Sequence, residues 1–159
     1  MPNGALVSIG YEGRTLDEFV DALRQDGVTA VVDVRLTPFS RKPGFSKSKL
    51  RDALAAAGID YVHEPTLGNP KDNREPFRAG QPSAHERYRA HLLRAGDEAV
   101  ERLISLAKQQ RTAVLCLERL HTECHREEVL AVVRERAPGI QITYLGEDPP
   151  APAATPRLF

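Results

Sequence analysis

Between residues 115 and 128 the chain reads LCLERLHTECHREE, a stretch that crowds thiols, imidazoles, carboxylates and guanidinium groups just past an apolar run. Cys124-His125-Arg126 falls where a last helix, expected over residues 123–136, should begin, with Thr122 as its N-cap. The first amides of a helix lack internal partners and carry partial positive charge. A thiol placed there beside His125 and Arg126 has its pKa lowered and becomes a usable thiolate. The same amides, with Arg126, suit a phosphate or carboxylate. Cys124 is thus the candidate nucleophile or redox thiol, and Glu118 and His125 are its candidate proton-transfer partners. The plainer alternative makes Cys124 a small half-buried hydrophobe and Arg126 a surface cation. Cys116, inside AVLCL, reads by default as core packing and functionally as a partner thiol for Cys124. Metal binding is not expected: His121 and His125 add soft ligands, but Cys-x7-Cys-His is no compact zinc pattern and no second ligand pair exists. No cofactor motif is complete either.

Other polar clusters follow short apolar runs. RLTPFSRKPGFSKSKLR, residues 35–51, carries six basic residues and no acidic one. Arg35, Ser40, Arg41 and Lys42 are candidates to close over an anionic ligand, against the alternative of a solvated basic loop. Asp33 and Arg35 are expected on opposite faces of their strand, one of them merely pairing with a helix. Gly10 and Gly13 resemble half of a dinucleotide fingerprint whose third glycine is missing, yet Tyr11, Glu12 and Arg14 still stand where a ligand is met. His63 closes a further strand candidate.

The elements that must position these residues alternate along the chain. Strands are expected at Ala5–Ile9, Val28–Val34, Ile59–His63, Thr112–Leu117 and Ile140–Leu145. Between them lie helical patterns: one opened by the Thr15/Glu18 capping box and stopped by Gly27, and one capped by Ser46 with a Phe45/Leu50 staple. A third opens at a Ser83/Glu86 capping box, runs to about Gln110 and is re-capped near Gly96-Asp97. Residues 64–82 read as a long polar segment. This order specifies an α/β domain: a mostly parallel five-stranded sheet with helices on both faces, a Rossmann-like or flavodoxin-like three-layer sandwich. Such sheets bind ligands beyond the carboxyl ends of their strands. Gly10 to Arg14, Asp33 to Arg35, His63-Glu64 and Cys116 to Glu118 therefore line one expected rim.

A length of 159 residues favours one domain, placed at 1–146, with a Pro/Ala-rich tail at 147–159. Lys plus Arg and Asp plus Glu both number 22, so net charge gives no argument for a polyanionic partner. A nucleic acid remains open only through the basic loop 35–51, and aromatics at 6% with no Trp make stacking platforms scarce. Two cysteines, no charged-then-apolar leader and no membrane-length apolar run point to a cytoplasmic protein with reduced thiols and no membrane partner. The oligomeric state is left open.

SIGYEGRTLDEF, VVDVRLTPFSRKPGFSKSKL, AGIDYVHEPTLG and LCLERLHTECHRE together resemble the family called domain of unknown function 488 (DUF488). Its pattern falls here on Gly10 to Thr15, Asp33 to Arg41, Gly58 to Gly68, Cys116 with Glu118, and Cys124 to Arg126. The resemblance implies no reaction, but its motifs coincide with the four strand ends. A looser similarity links TLDEFVDALRQDGVTAVVDVR to the opening of a rhodanese domain, in which a reactive cysteine follows a later strand; it is an analogy of fold alone. The leading expectation is a small enzyme binding a phosphate- or nucleotide-bearing ligand at the rim. The alternatives are a non-catalytic ligand-binding or sensor module, a redox switch through Cys116 and Cys124, and a nucleic-acid binder.

Overall fold

Thr15 and Glu18 close a reciprocal capping box at the start of α1 (Leu16–Gln25). The Thr15 hydroxyl accepts from the Glu18 amide at 3.1 Å, and the Glu18 carboxylate accepts from the Thr15 amide at 2.8 Å. The computed structural model describes residues 4–38, 40–116 and 125–145. Its strands are β1 (Ala5–Gly10), β2 (Ala30–Asp33), β3 (Asp60–His63), β4 (Thr112–Cys116) and β5 (Gln141–Tyr144). After α1 the described helices are α2 (Lys47–Ala56), α3 (Arg74–Arg78), α4 (Pro82–Arg94), α5 (Asp97–Gln109) and α6 (Arg126–Arg136).

All paired strands run parallel in the order β3-β2-β4-β1-β5. Side chains alternate across the sheet with period two, so each central strand feeds two cores. Val7, Ile9, Val31, Ala113 and Leu115 pack against Phe19 and Leu23 of α1 and Leu50 and Leu54 of α2. Leu6, Val32, Val114 and Cys116 pack on the other face against α4, α5 and α6 through Tyr88, Leu103 and Val133. This is the expected three-layer α/β arrangement, and no described helix is long and apolar enough to cross a membrane.

The strand order also fixes where a crevice must form. β4 lies between β1 and β2. The chain leaves β1 and β2 toward helices on one face and leaves β4 toward α6 on the other. Neighbouring carboxyl ends whose connections diverge to opposite faces leave a gap between them.

Three expectations shift. Residues 64–82 are not wholly irregular: short 3₁₀ turns at Pro65–Leu67 and Lys71–Asn73 lead into α3. The Ser83 capping box does not form, because α4 begins one residue earlier at Pro82 with Gln81 at the N-cap. The Pro82 ring presets a helical φ and its missing N–H costs nothing at the first position, so Ser83 falls inside the helix. Helix α6 has His125 at its N-cap, and the expected cap Thr122 lies outside the described residues, as does the tail.

Candidate functional site

The densest polar packing is at the carboxyl end of β2. Asp33 is fully buried and Arg35 nearly so. Arg35 Nε and NH2 donate to the two Asp33 oxygens at 2.8 and 2.6 Å, the fork-to-fork geometry that favours a guanidinium over an ammonium. The Arg35 amide also donates to Asp33 at 3.1 Å, and the Tyr61 hydroxyl donates at 2.6 Å. Asp33 and Arg35 therefore lie on one face, against the expectation of opposite faces. Residues two apart share a face of extended chain, and the short lever between them lets the fork close.

The remaining Arg35 donor, NH1, reaches the Phe45 carbonyl at 2.6 Å and the Tyr11 hydroxyl at 3.4 Å, while the guanidinium carbon sits 5.4 Å from the centroid of the Tyr11 ring. Burial works against the Arg35 charge, but its hydrogen bonds to Asp33 and the Asp33 charge outweigh it and hold the group above its ordinary range. Burial, then the Asp33 charge and hydrogen bond, raise the Tyr61 phenol above its ordinary range as well. Asp33 and Arg35 thus spend their polar atoms on each other and on the chain around them. Tyr11 is likewise buried, stacked on Phe45 at 4.4 Å between centroids, rather than facing a ligand.

Two imidazoles flank this clamp. His63 Nε2 meets the Arg35 carbonyl at 2.7 Å, and His125 Nε2 meets the Val34 carbonyl at 2.9 Å. A carbonyl only accepts, so each ring carries its proton on Nε2 or is doubly protonated. His125 also packs edge-on to Tyr88 with centroids 5.4 Å apart. The next residue, Arg126, is 0% exposed, a buried cation at the first position of α6 rather than a surface one. At the end of β1, Arg14 is half-buried, and its Nε is shielded from solvent without a hydrogen-bond partner. Gly10 ends β1 in a buried position and Glu12 is exposed beside it. Ser40 and exposed Arg41 belong to a separate cleft on the loop after β2.

Cys116, buried at the end of β4, is disulfide-bonded, which differs from the expected reduced thiol. Glu118, His121 and Cys124 lie outside the described residues. Among the described residues no group of three or more His, Cys, Asp or Glu is arranged to hold a metal ion. Sequence reasoning missed Tyr61, whose signal was its position two residues before His63 on the same strand face, and Phe45, which it read only as a staple. It also missed the Arg102 fork onto buried Glu64, at 2.7 Å for both bonds, since nothing local connects α5 with the end of β3.

These features define a parallel α/β protein whose candidate site is the rim where the β1, β2 and β4 carboxyl ends meet the start of α6. The family model for Domain of unknown function DUF488 matches residues 15–133, more than half of the chain, and the chain belongs to that family. No curated protein and no solved structure matches it.

Proposed function

We propose that the protein is a small α/β enzyme that binds an anionic, phosphate- or nucleotide-bearing ligand at this rim. The observation that carries the reading is Arg14: a half-buried guanidinium on the rim that forms no ion pair with a described carboxylate and leaves Nε without an acceptor. Desolvating a cation without neutralising it is costly, and an anionic ligand supplies the missing partner. Arg126 and the first amides of α6 stand on the same rim and suit the same charge. Arg35 contributes indirectly, by fixing the β2 terminus to which His63 and His125 are bonded. In this reading Cys124 is the nucleophile when reduced, with Glu118 and His125 as proton-transfer partners.

A thermal-shift screen of nucleotides and phosphorylated metabolites tests it. A ligand should raise Tm in a concentration-dependent way, and Arg14→Ala should weaken that ligand about tenfold or more. A hit that Arg14→Ala leaves untouched refutes the binding reading; turnover unchanged by Cys124→Ser refutes the catalytic one.

The disulfide state of Cys116 favours a second reading, a thiol redox switch. Two thiols would lose two hydrogens to a peroxide, whose oxygen–oxygen bond is reduced to two waters. Intact mass of the peroxide-treated protein should rise by two hydrogens on reduction, and an unchanged mass sinks the switch.

A further inference from the structure

The loop after β2 builds a second cationic site that the rim reading does not use. Residues 35–51 carry no carboxylate. In the structure Arg41, Lys42, Lys47 and Lys49 line one concave cleft of about 480 Å³ with Ser40 and Ser48. None of the four cations forms an ion pair with a described carboxylate. Several other cations among the described residues are paired: Arg87 with Asp72, Arg89 with Glu135, Arg111 with Asp26 and Arg136 with Asp97. Four like charges gathered round one concavity repel one another, and a multiply charged anion relieves that repulsion.

The cleft is also held in shape without a ligand. The Ser46 hydroxyl accepts from the Ser40 amide and donates to the Ser40 carbonyl, each at 3.1 Å. The Ser40 hydroxyl accepts from the Lys42 amide at 3.1 Å, and Lys47 N–H donates to the Pro38 carbonyl at 2.9 Å. Arg35 grips the far end of the loop through the Phe45 carbonyl. Because Ser46 is engaged with Ser40, it makes no side-chain cap on α2. The Ser48 and Lys49 amides, the next two donors of that helix, have no described acceptor, and both residues line the cleft.

We propose that this cleft binds the phosphate group of a small phosphorylated ligand, as a site separate from the rim. A phosphate dianion accepts from several donors at once, which matches four cations with two free amides better than a single carboxylate does. A small ligand fits better than nucleic acid, because the cations surround one concavity rather than forming a stripe and the protein as a whole carries no net charge.

The test is a titration with pyrophosphate at constant ionic strength, followed by amide NMR of the intact chain. The Ser48 and Lys49 amide signals should move saturably, with no such movement when chloride replaces pyrophosphate. The Lys42→Ala/Lys49→Ala double variant, altered only at side chains outside the core, should bind at least about tenfold more weakly. Arg14→Ala should leave the cleft's affinity intact, so failure of the rim reading and failure of this one are told apart. Absence of saturable movement, equal affinity in the double variant, or loss of binding in Arg14→Ala each overturns the site. Movement only with an oligonucleotide, falling steeply with salt, overturns it in favour of a nucleic-acid surface.

Discussion

Asp33 accepts hydrogen bonds from Arg35 and Tyr61 while wholly removed from water. Such a pair contributes little net stability compared with apolar residues of the same shape, but removing one partner strands a charge. Asp33→Asn leaves the Arg35 guanidinium buried beside an amide and should cost about 3–5 kcal/mol in urea denaturation. Tyr61→Phe removes one hydrogen bond and should cost less, about 1.5–3 kcal/mol, the bond being to a charged acceptor. Arg35→Lys should resemble Asp33→Asn more than Tyr61→Phe, since an ammonium cannot span both Asp33 oxygens and the Phe45 carbonyl. The ordering is what matters: if Tyr61→Phe proves the most damaging of the three, the fork is not what holds the end of β2. The same pair explains why an Asp-Val-Arg strand end, which invites a ligand-binding reading, serves here to set backbone. It supplies the two carbonyls on which His63 and His125 are held.

At the scale of elements, the segments leaving β2 and β3 also approach closely at Gly68 and Leu36. A Cβ on Gly68 would stand 2.5 Å from Leu36 Cα and 2.6 Å from its nitrogen, atoms that cannot swing aside. Gly68→Ala should therefore cost about 1–3 kcal/mol, as overpacked sites do. It should also shift the ¹⁵N signals of the His63 imidazole, because it pries apart the two segments that ring bridges. Gly58→Ala is the control: its φ of +78° strains any side chain, but nothing lies within 4 Å, so stability should fall while the His63 signals stay in place. An unmoved His63 in Gly68→Ala would detach the contact from the site. That contact was invisible in the sequence, where Gly68 closed a family motif and lay in a polar segment with nothing local to link it to Leu36. What was legible were features with a local cause: the Thr15/Glu18 box, the β-branched run that became β2, and the Gly27 stop. The rim was legible because alternation of strands and helices dictates parallel pairing, and parallel pairing brings all carboxyl ends to one side. The partners were not, since Tyr61 meets Asp33 and His125 meets Val34 across 28 and 91 residues of chain. Nor was the start of α4, where Pro82 overrode a plausible capping box.

Across the whole molecule, each face of the sheet holds a phenol that resists ionisation. Tyr61 lies on the α1/α2 face beside Asp33, and Tyr88 is fully buried on the α4–α6 face with its hydroxyl donating to the Leu67 carbonyl. Burial, then the nearby Asp33 charge, raises Tyr61; burial, then the Glu128 charge, raises Tyr88 well above the ordinary phenol value. A phenol whose pKa is higher folded than unfolded binds its proton more tightly in the native state. Its contribution is fully present below the unfolded value of about 10 and is lost as pH rises through the folded value. Stability should therefore hold to about pH 10 and fall steadily above it, with both layers weakened together because both cores share the central strands. Spectrophotometric titration of the four tyrosines should show part of the phenolate absorbance appearing only with the collapse of far-UV circular dichroism. Tyr61→Phe and Tyr88→Phe should each flatten the alkaline limb, and the two together should flatten it more than either alone, since their surroundings lie on opposite faces. If all the phenolate absorbance instead develops near pH 10 while the circular dichroism stays native, neither hydroxyl is held as its surroundings require, and the closed packing around the end of β2 is not how this protein keeps its rim in place.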